Sequence, residues 1–331
     1  MRTGDYSKMN ILKWLVYPVG LIMFITCTSK GVGGQADADF SDTIAKREFK
    51  LPVIPKELTV PQDRANYLIA HYWGSFDFSD TVYTHLPEIT EQAFVNYIEI
   101  LPHATKSVSY FSIKDMLSKA ETCSPVVYTY FLDHYKKYLY DPNSPLRNEE
   151  YYIPVLNYVI ESDKTRDTER QRAEFDLKLL LKNRVGEKAT DIAYTLASGK
   201  TERLYDIKGQ YTLLCFYNPD CHACEQVTHY MKESELIDRL VKSRILKIVM
   251  IYPDKDLDLW KKHQVNIPES WINGYDKRTE INNKQLYDLK ATPTLYLLDK
   301  DKNVLLKDAD IVKMEIYIRD NSPVMLYDKQ N

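Results

Sequence analysis

The chain has 331 residues, of which 44% are hydrophobic and 27% charged, with a formal net charge of −3. That length exceeds one ordinary domain and suggests two. A near balance of 44 basic and 47 acidic residues leaves no electrostatic footprint for nucleic acid. No HExxH, P-loop or dinucleotide-binding pattern occurs, and no internal repeat.

After Lys8 and Lys13, the uncharged apolar run Trp14 to Thr26 ends at Cys27. It is short for a membrane span, which takes about 20 residues, and fits a signal-peptide core. Cys27, with Thr26 before it and Thr28-Ser29 after it, resembles a bacterial lipobox. That resemblance implies a signal peptide over 1–27, with Cys27 as the lipidated first residue of the mature protein. An uncleaved signal anchor and a conventionally cleaved signal are the competing readings. Each of the three puts the bulk of the chain outside the cytoplasm, in the cell envelope, and lipidation makes a periplasm-facing anchor the first expectation. Residues 28–50, with the polar stretch Gly31 to Asp39, read as a flexible tether.

Over residues 51–184 the apolar period is helical. Ile89, Ala93, Phe94, Tyr97, Ile98 and Leu101 recur on one helix face, and Val127, Phe131, Leu132, Tyr135, Tyr138 and Leu139 on another. Ser124 is placed as an N-cap with Pro125 at the first helical position. Arg166 to Lys182 reads as the last helix before a boundary near Asn183 to Gly186, and the whole predicts an all-α domain of about five to seven helices. Tyr72, Trp73, Phe76 and Phe78 read as core and boundary packing, since large aromatics dominate cores. His71, a lone histidine beside them, reads as structural.

Residues 185–331 change character and predict an α/β domain with a central mixed sheet. Tyr211 to Tyr217 is a buried strand, followed by the turn Asn218-Pro219-Asp220 and then Cys221-His222-Ala223-Cys224 at the start of a helix. Unpaired N–H groups and the helix dipole at a first turn stabilise a thiolate. Cys221 is therefore the candidate nucleophile, and Cys224, one helical turn deeper, the thiol that resolves a mixed disulfide. Arg244 to Tyr252 reads as a second buried strand, Asp254 to His263 as a short helix and Asn282 to Leu289 as another. Pro293 to Leu298 and Asn303 to Leu306 form a hairpin around Asp299-Lys300-Asp301-Lys302.

Two motifs, the CxxC after its strand and Leu289-Lys290-Ala291-Thr292-Pro293-Thr294 running into Leu295 to Asp299, resemble the thioredoxin superfamily, in particular thiol-disulfide oxidoreductases of the TlpA and ResA kind. The resemblance covers roughly Gly186 to Asn331. It implies a cis peptide before Pro293, facing the CxxC, with Thr292 and Pro293 lining a substrate groove. It also implies that the long interval between Cys224 and Pro293 holds an extra strand and helix. The chain departs from the family at three places. The buried carboxylate six residues before the nucleophile is Cys215, the usual Trp before it is Asp220, and the basic residue after the second cysteine is Glu225. Asp220, His222 and Ala223 are expected to tune the pair. The acids Asp220 and Glu225 oppose the helix dipole and predict a raised Cys221 pKa, offset by His222 when protonated. A reducing couple follows, on the order of thioredoxin's ~−270 mV rather than DsbA's ~−120 mV.

Asn66-Tyr67-Leu68, His71 to Asp80 and Tyr138 to Pro145 resemble an uncharacterised helical domain that precedes thioredoxin-like domains in bacterial envelope lipoproteins. That resemblance implies architecture and no activity. Of five cysteines, Cys27, Cys221 and Cys224 are accounted for; Cys215 is expected in the core and Cys123 as an inert buried thiol. The resulting expectation is an envelope thiol-disulfide oxidoreductase acting on disulfide-bearing envelope proteins, needing no cofactor and no metal beyond its own redox-active disulfide. The family alone implies a membrane thiol carrier as electron donor. Two alternatives stand beside it. One is a binding or assembly lipoprotein whose CxxC is structural or holds zinc, with His222 or His229 as the nearby extra ligands. The other is a thiol peroxidase, disfavoured because Asn218 stands where peroxiredoxins carry Thr or Ser.

Overall fold

The computed structural model describes residues 47–322. The expected signal peptide, Cys27 and nearly all of the tether lie outside the described residues. The described residues divide into two compact units, with the boundary between Ala173 and Glu174.

The first unit is helical: α1 (Pro61–His71), α2 (Thr90–Ile100), α3 (Lys106–Cys123), α4 (Pro125–Tyr135) and α5 (Glu149–Glu161), with α6 (Asp167–Leu180) running from it into the second unit. Six α-helices among the described residues fall within the expected range. Helix α3 packs against α1, α4 and α5 and buries Ile113, Met116, Leu117 and Ala120 along one stripe. Helix α4 starts as its sequence predicts: the Ser124 hydroxyl accepts the N–H of Val127 at 3.4 Å and Pro125 opens the helix. Tyr72, Trp73, Phe76 and Phe78 are buried, and Trp73, Phe76, Phe78 and Phe94 all bring their rings against Phe131. Two of the phenols drawn inside find acceptors: Tyr72 Oη donates to Ala93 O, and Tyr97 Oη to Ser112 Oγ, which in turn donates to Ile69 O. Cys123 is a correction. It is exposed rather than buried, because the buried stripe of α3 steps from Ala120 to Ser124 and leaves Cys123 facing water.

The second unit is a seven-stranded mixed sheet of order β2-β1-β5-β4-β3-β6-β7. Its strands are β1 (Ala193–Leu196), β2 (Thr201–Arg203), β3 (Tyr211–Phe216), β4 (Leu246–Tyr252), β5 (Ile272–Tyr275), β6 (Thr294–Leu298) and β7 (Val304–Lys307). The helices are α7 (His222–Glu233), α8 (Glu235–Lys242), α9 (Leu257–His263), α10 (Glu280–Asn283) and α11 (Ile311–Asn321). Strand β3 is buried at all six positions, as a strand covered on both faces must be. It pairs in parallel with β4 and antiparallel with β6. Its side chains, with that of Tyr217 just after it, split the core into two layers. Leu213, Cys215 and Tyr217 join α7, α8, α9 and α11 on one face, while Leu214 and Phe216 join Tyr287, Tyr296 and Ile281 on the other.

The hairpin β6–β7 forms where expected, its turn held by Asp299 Oδ1, which accepts the N–H groups of Asp301 and Asn303. The helix expected over Asn282 to Leu289 does not form. Helix α10 stops at Asn283 because Gln285 takes a left-handed φ of 49° and closes the turn with its N–H on Asn282 O. Residues 284–289 instead run on as loop, and Tyr287 turns inward so that its phenol reaches Thr190 O.

Candidate redox site

The site begins with a turn. Asn218 Oδ1 accepts the N–H of Asp220 at 3.0 Å, and its carbonyl accepts the N–H of Cys221 at 3.1 Å, so the chain leaving β3 folds back at once. Cys221 then becomes the N-cap of α7, with extended φ and ψ of −89° and 116°. Its Sγ stands where a capping oxygen usually does and accepts the N–H of Cys224 at 3.3 Å.

The two thiols have unlike surroundings. Cys221 is half-buried, whereas Cys224 is 4% exposed and packs with Cys215, Tyr217 and Met231. Burial pushes the Cys221 thiol up. Hydrogen bonds with Cys224 and Thr292, and from the backbone N–H groups of Cys224 and Ala223, outweigh it and hold the thiol below the ordinary value. For Cys224, burial followed by the hydrogen bond and negative field of Cys221 pushes the thiol up to about 12. The two thiols are therefore shifted in opposite directions, Cys221 toward the thiolate and Cys224 toward the thiol.

The expected effect of the acids is corrected here. Asp220 and Glu225 do not leave Cys221 raised. Glu225 is solvent-exposed and faces His222 at 3.7 Å, and Asp220 faces His263 of α9 at 3.6 Å. Both carboxylates are exposed, so water screens their fields, while the N–H groups of the α7 cap act on the sulfur directly. His222 and Ala223 are exposed, and the Ala223 contribution comes from its backbone.

Opposite α7, the Thr292–Pro293 peptide is cis, and Thr292 O accepts from Cys221 Sγ at 3.2 Å. The two motifs, 71 residues apart in the chain, therefore meet in space. Thr294 Oγ donates to Ala291 O at 2.6 Å and braces the loop from behind. Cys215 lies buried in β3 on the same face as Cys224, its thiol pushed well up by burial and then by the fields of Cys224 and Cys221. It is a core residue, and its thiol cannot serve as a base.

Four residues without a sequence signal complete the surroundings: Tyr217, Trp260, His263 and Asn273. Tyr217 and Trp260 both donate to Asn273 Oδ1. Only the pairing of β5 beside β4 brings Asn273 there, and nothing in the local sequence announces it. A zinc site would need donors beyond the two cysteines. Among the described residues, no group of three or more His, Cys, Asp or Glu side chains is disposed to hold a metal ion.

The family described as a domain of unknown function (DUF5106) matches residues 27–183, and the family described as thioredoxin-like matches residues 209–304. A crystal structure of a thioredoxin-like protein from Bacteroides caccae is similar at 46% identity, covering 83% of this chain and 99% of that one, with a TM-score of 0.80. The C-terminal domain of an uncharacterized protein from Bacteroides fragilis is 51% identical over 41% of this chain and 96% of its own, with a TM-score of 0.40. The thioredoxin domain of a thiol-disulfide oxidoreductase from Bacteroides vulgatus is 20% identical over 41% of this chain and 96% of its own, with a TM-score of 0.38. No curated protein matches the chain.

Proposed function

Since the chain belongs to the thioredoxin-like proteins that carry an N-terminal DUF5106 domain, we propose that it is a thiol-disulfide oxidoreductase working through Cys221 and Cys224. The observation that carries this reading is the asymmetry of the pair: a half-buried capping thiol held low, one turn from a buried thiol pushed up to about 12, both under the cis-Pro loop.

The chemistry follows from that asymmetry. The Cys221 thiolate attacks one sulfur of a substrate disulfide, forming a mixed disulfide and releasing the other sulfur as thiolate. Cys224 then gives up its proton, which the departing substrate sulfur takes, and attacks Cys221 Sγ. The Cys221–Cys224 disulfide forms and the second substrate thiol leaves. Two electrons have passed to the substrate, and an external thiol donor must return them. Thr292 O, already against Cys221 Sγ, presents a backbone acceptor to the strand that bears the substrate disulfide, with Pro293 beside it.

Titration of the protein against glutathione buffers tests this. One two-electron couple is expected, less reducing than a raised Cys221 thiol would give, because the lowered thiol stabilises the reduced form; it should lie between thioredoxin's ~−270 mV and DsbA's ~−120 mV. A pair that never cycles would sink the reading, and a value near ~−120 mV would make the protein an oxidant instead.

The setting we propose is the bacterial cell envelope, with the protein held by lipid on Cys27 and facing the periplasm. Its partners there would be disulfide-bearing envelope proteins and a membrane thiol carrier. The apolar run ending at Cys27 supports this. Cells fed a clickable fatty acid should label the wild-type chain and leave Cys27→Ala unlabelled; equal labelling of both would remove Cys27 as the anchor.

A further inference from the structure

The segment between the two motifs reaches back to the turn that carries Cys221. Asn273 Oδ1 accepts from Tyr217 Oη at 2.9 Å and from Trp260 Nε1 at 3.3 Å, which uses both lone pairs of that oxygen. Trp260 of α9 is 1% exposed and Tyr217 is 4% exposed, so leaving either donor without its acceptor is costly. Tyr217 is the last residue before the Asn218 turn, its N–H held by Ile251 O at 3.1 Å. Its ring sits in the apolar layer that contains Cys215 and Cys224.

Asn273 itself is held in place. The next residue, Gly274, lies so close to β1 that a Cβ would meet Tyr194 Cδ2 at 2.8 Å and Thr195 O at 3.2 Å. Strand β5 is thus locked between β1 and β4, and the amide cannot follow a drifting Tyr217.

We propose that Asn273 is a positioning residue for the redox pair. It anchors Tyr217, and through Tyr217 the Asn218–Cys221 turn, at the height where Cys221 Sγ meets the N–H groups of α7. The proposal rests on the reading of Cys221 as the nucleophile. Once the anchor is lost, the sulfur keeps its burial and loses part of its hydrogen bonding, and the thiol rises toward the ordinary value.

The test is the pH dependence of iodoacetamide alkylation at Cys221, read by mass spectrometry on the reduced full chain. Wild-type protein is expected to show a midpoint below the ordinary ~8.5. Asn273→Leu and Tyr217→Phe should each move it up, lowering the rate at neutral pH about 3–10-fold. The double variant should shift the midpoint no further than Asn273→Leu alone, because the Tyr217–Asn273 bond is already lost in each single variant, Asn273→Leu losing the Trp260 bond besides. Trp260→Phe removes the other donor to Asn273 and a neighbour of the Tyr217 phenol but keeps the Tyr217–Asn273 bond, so it should move the midpoint less than either Asn273→Leu or Tyr217→Phe even where it lowers Tm more. If Asn273→Leu does not fold, Tyr217→Phe reads the same bond. Variants that lower Tm while keeping the wild-type midpoint, or a double variant whose shift is the sum of the two, overturn the proposal. A wild-type midpoint at or above the ordinary value counts instead against Cys221 as nucleophile.

Discussion

Replacing Cys224 with serine should yield a protein that captures disulfide substrates and fails to release them, whereas Cys221→Ser should capture nothing. The half-buried Cys221 sulfur is the one an incoming disulfide can reach, and the α7 cap holds it below the ordinary thiol value. Cys224 is 4% exposed and pushed up to about 12, so it acts only from within, on a disulfide already formed at Cys221. Turnover with a glutathione-coupled disulfide substrate should fall by at least about 10³-fold in either variant, as expected when a covalent nucleophile or its partner is removed. Non-reducing gels and mass spectrometry separate the two, with a mixed disulfide accumulating only in Cys224→Ser. The sign of the pH dependence follows from a lowered acid. In the wild-type protein the thiolate fraction, and with it the capture rate, rises as pH climbs through the Cys221 midpoint below ~8.5. It is lost as pH falls through that midpoint. Residual turnover in Cys221→Ser, or a mixed disulfide on Cys224, would falsify the assignment of roles.

Phe131→Ala should be the most damaging single change in the helical unit. Phe131 has no exposed surface, and the rings of Trp73, Phe76, Phe78, Phe94 and Tyr130 stand 5.3 to 6.0 Å from its own, centre to centre. Such a site cannot collapse around a missing ring, and removal should cost about 3–5 kcal/mol. Against a domain stability of about 5–15 kcal/mol, that is enough to bring the unit close to unfolding. Phe111→Ala is the comparison: Phe111 is 67% exposed, and its loss should stay within about 0.5 kcal/mol. Urea titration followed by near-UV circular dichroism reads both. A loss below about 1 kcal/mol for Phe131→Ala would mean that the aromatic cluster is not the core described above.

Much of the architecture could be read in one dimension because its signals are local. The α2 and α4 faces carry their period in Phe94, Tyr97, Ile98, Val127, Phe131 and Tyr135, all of them buried, and the Ser124-Pro125 start of α4 is a two-residue signature. Strands β3 and β4 announce themselves as continuous apolar runs. Strands β1, β2 and β5, at four, three and four residues, are too short for alternation to mark them; they exist because the sheet supplies partners. The Asn282 to Leu289 stretch fails as a helix for a reason equally hidden in the sequence. A left-handed Gln285 and an inward Tyr287, whose phenol bonds to Thr190 O nearly a hundred residues earlier, outweigh a weak local preference.

The sequence by itself determined the two-part plan, helical then α/β, the identity of the two thiols, their order along the first turn of α7, and the family resemblance through Thr292-Pro293. These depend on neighbours within a few residues. Tertiary structure alone decided how the thiols behave. The sequence places two acids beside Cys221 and predicts a raised pKa; the fold sets His263 against Asp220, leaves Glu225 in water, and turns the N–H groups of Ala223 and Cys224 onto the sulfur. It also brings Asn273 to Tyr217 and Trp260, and Thr292 O to Cys221 Sγ. A thiol's charge state depends on distances of a few ångströms to burial, dipoles and ions, and those distances are set by strand pairing between residues far apart in the chain.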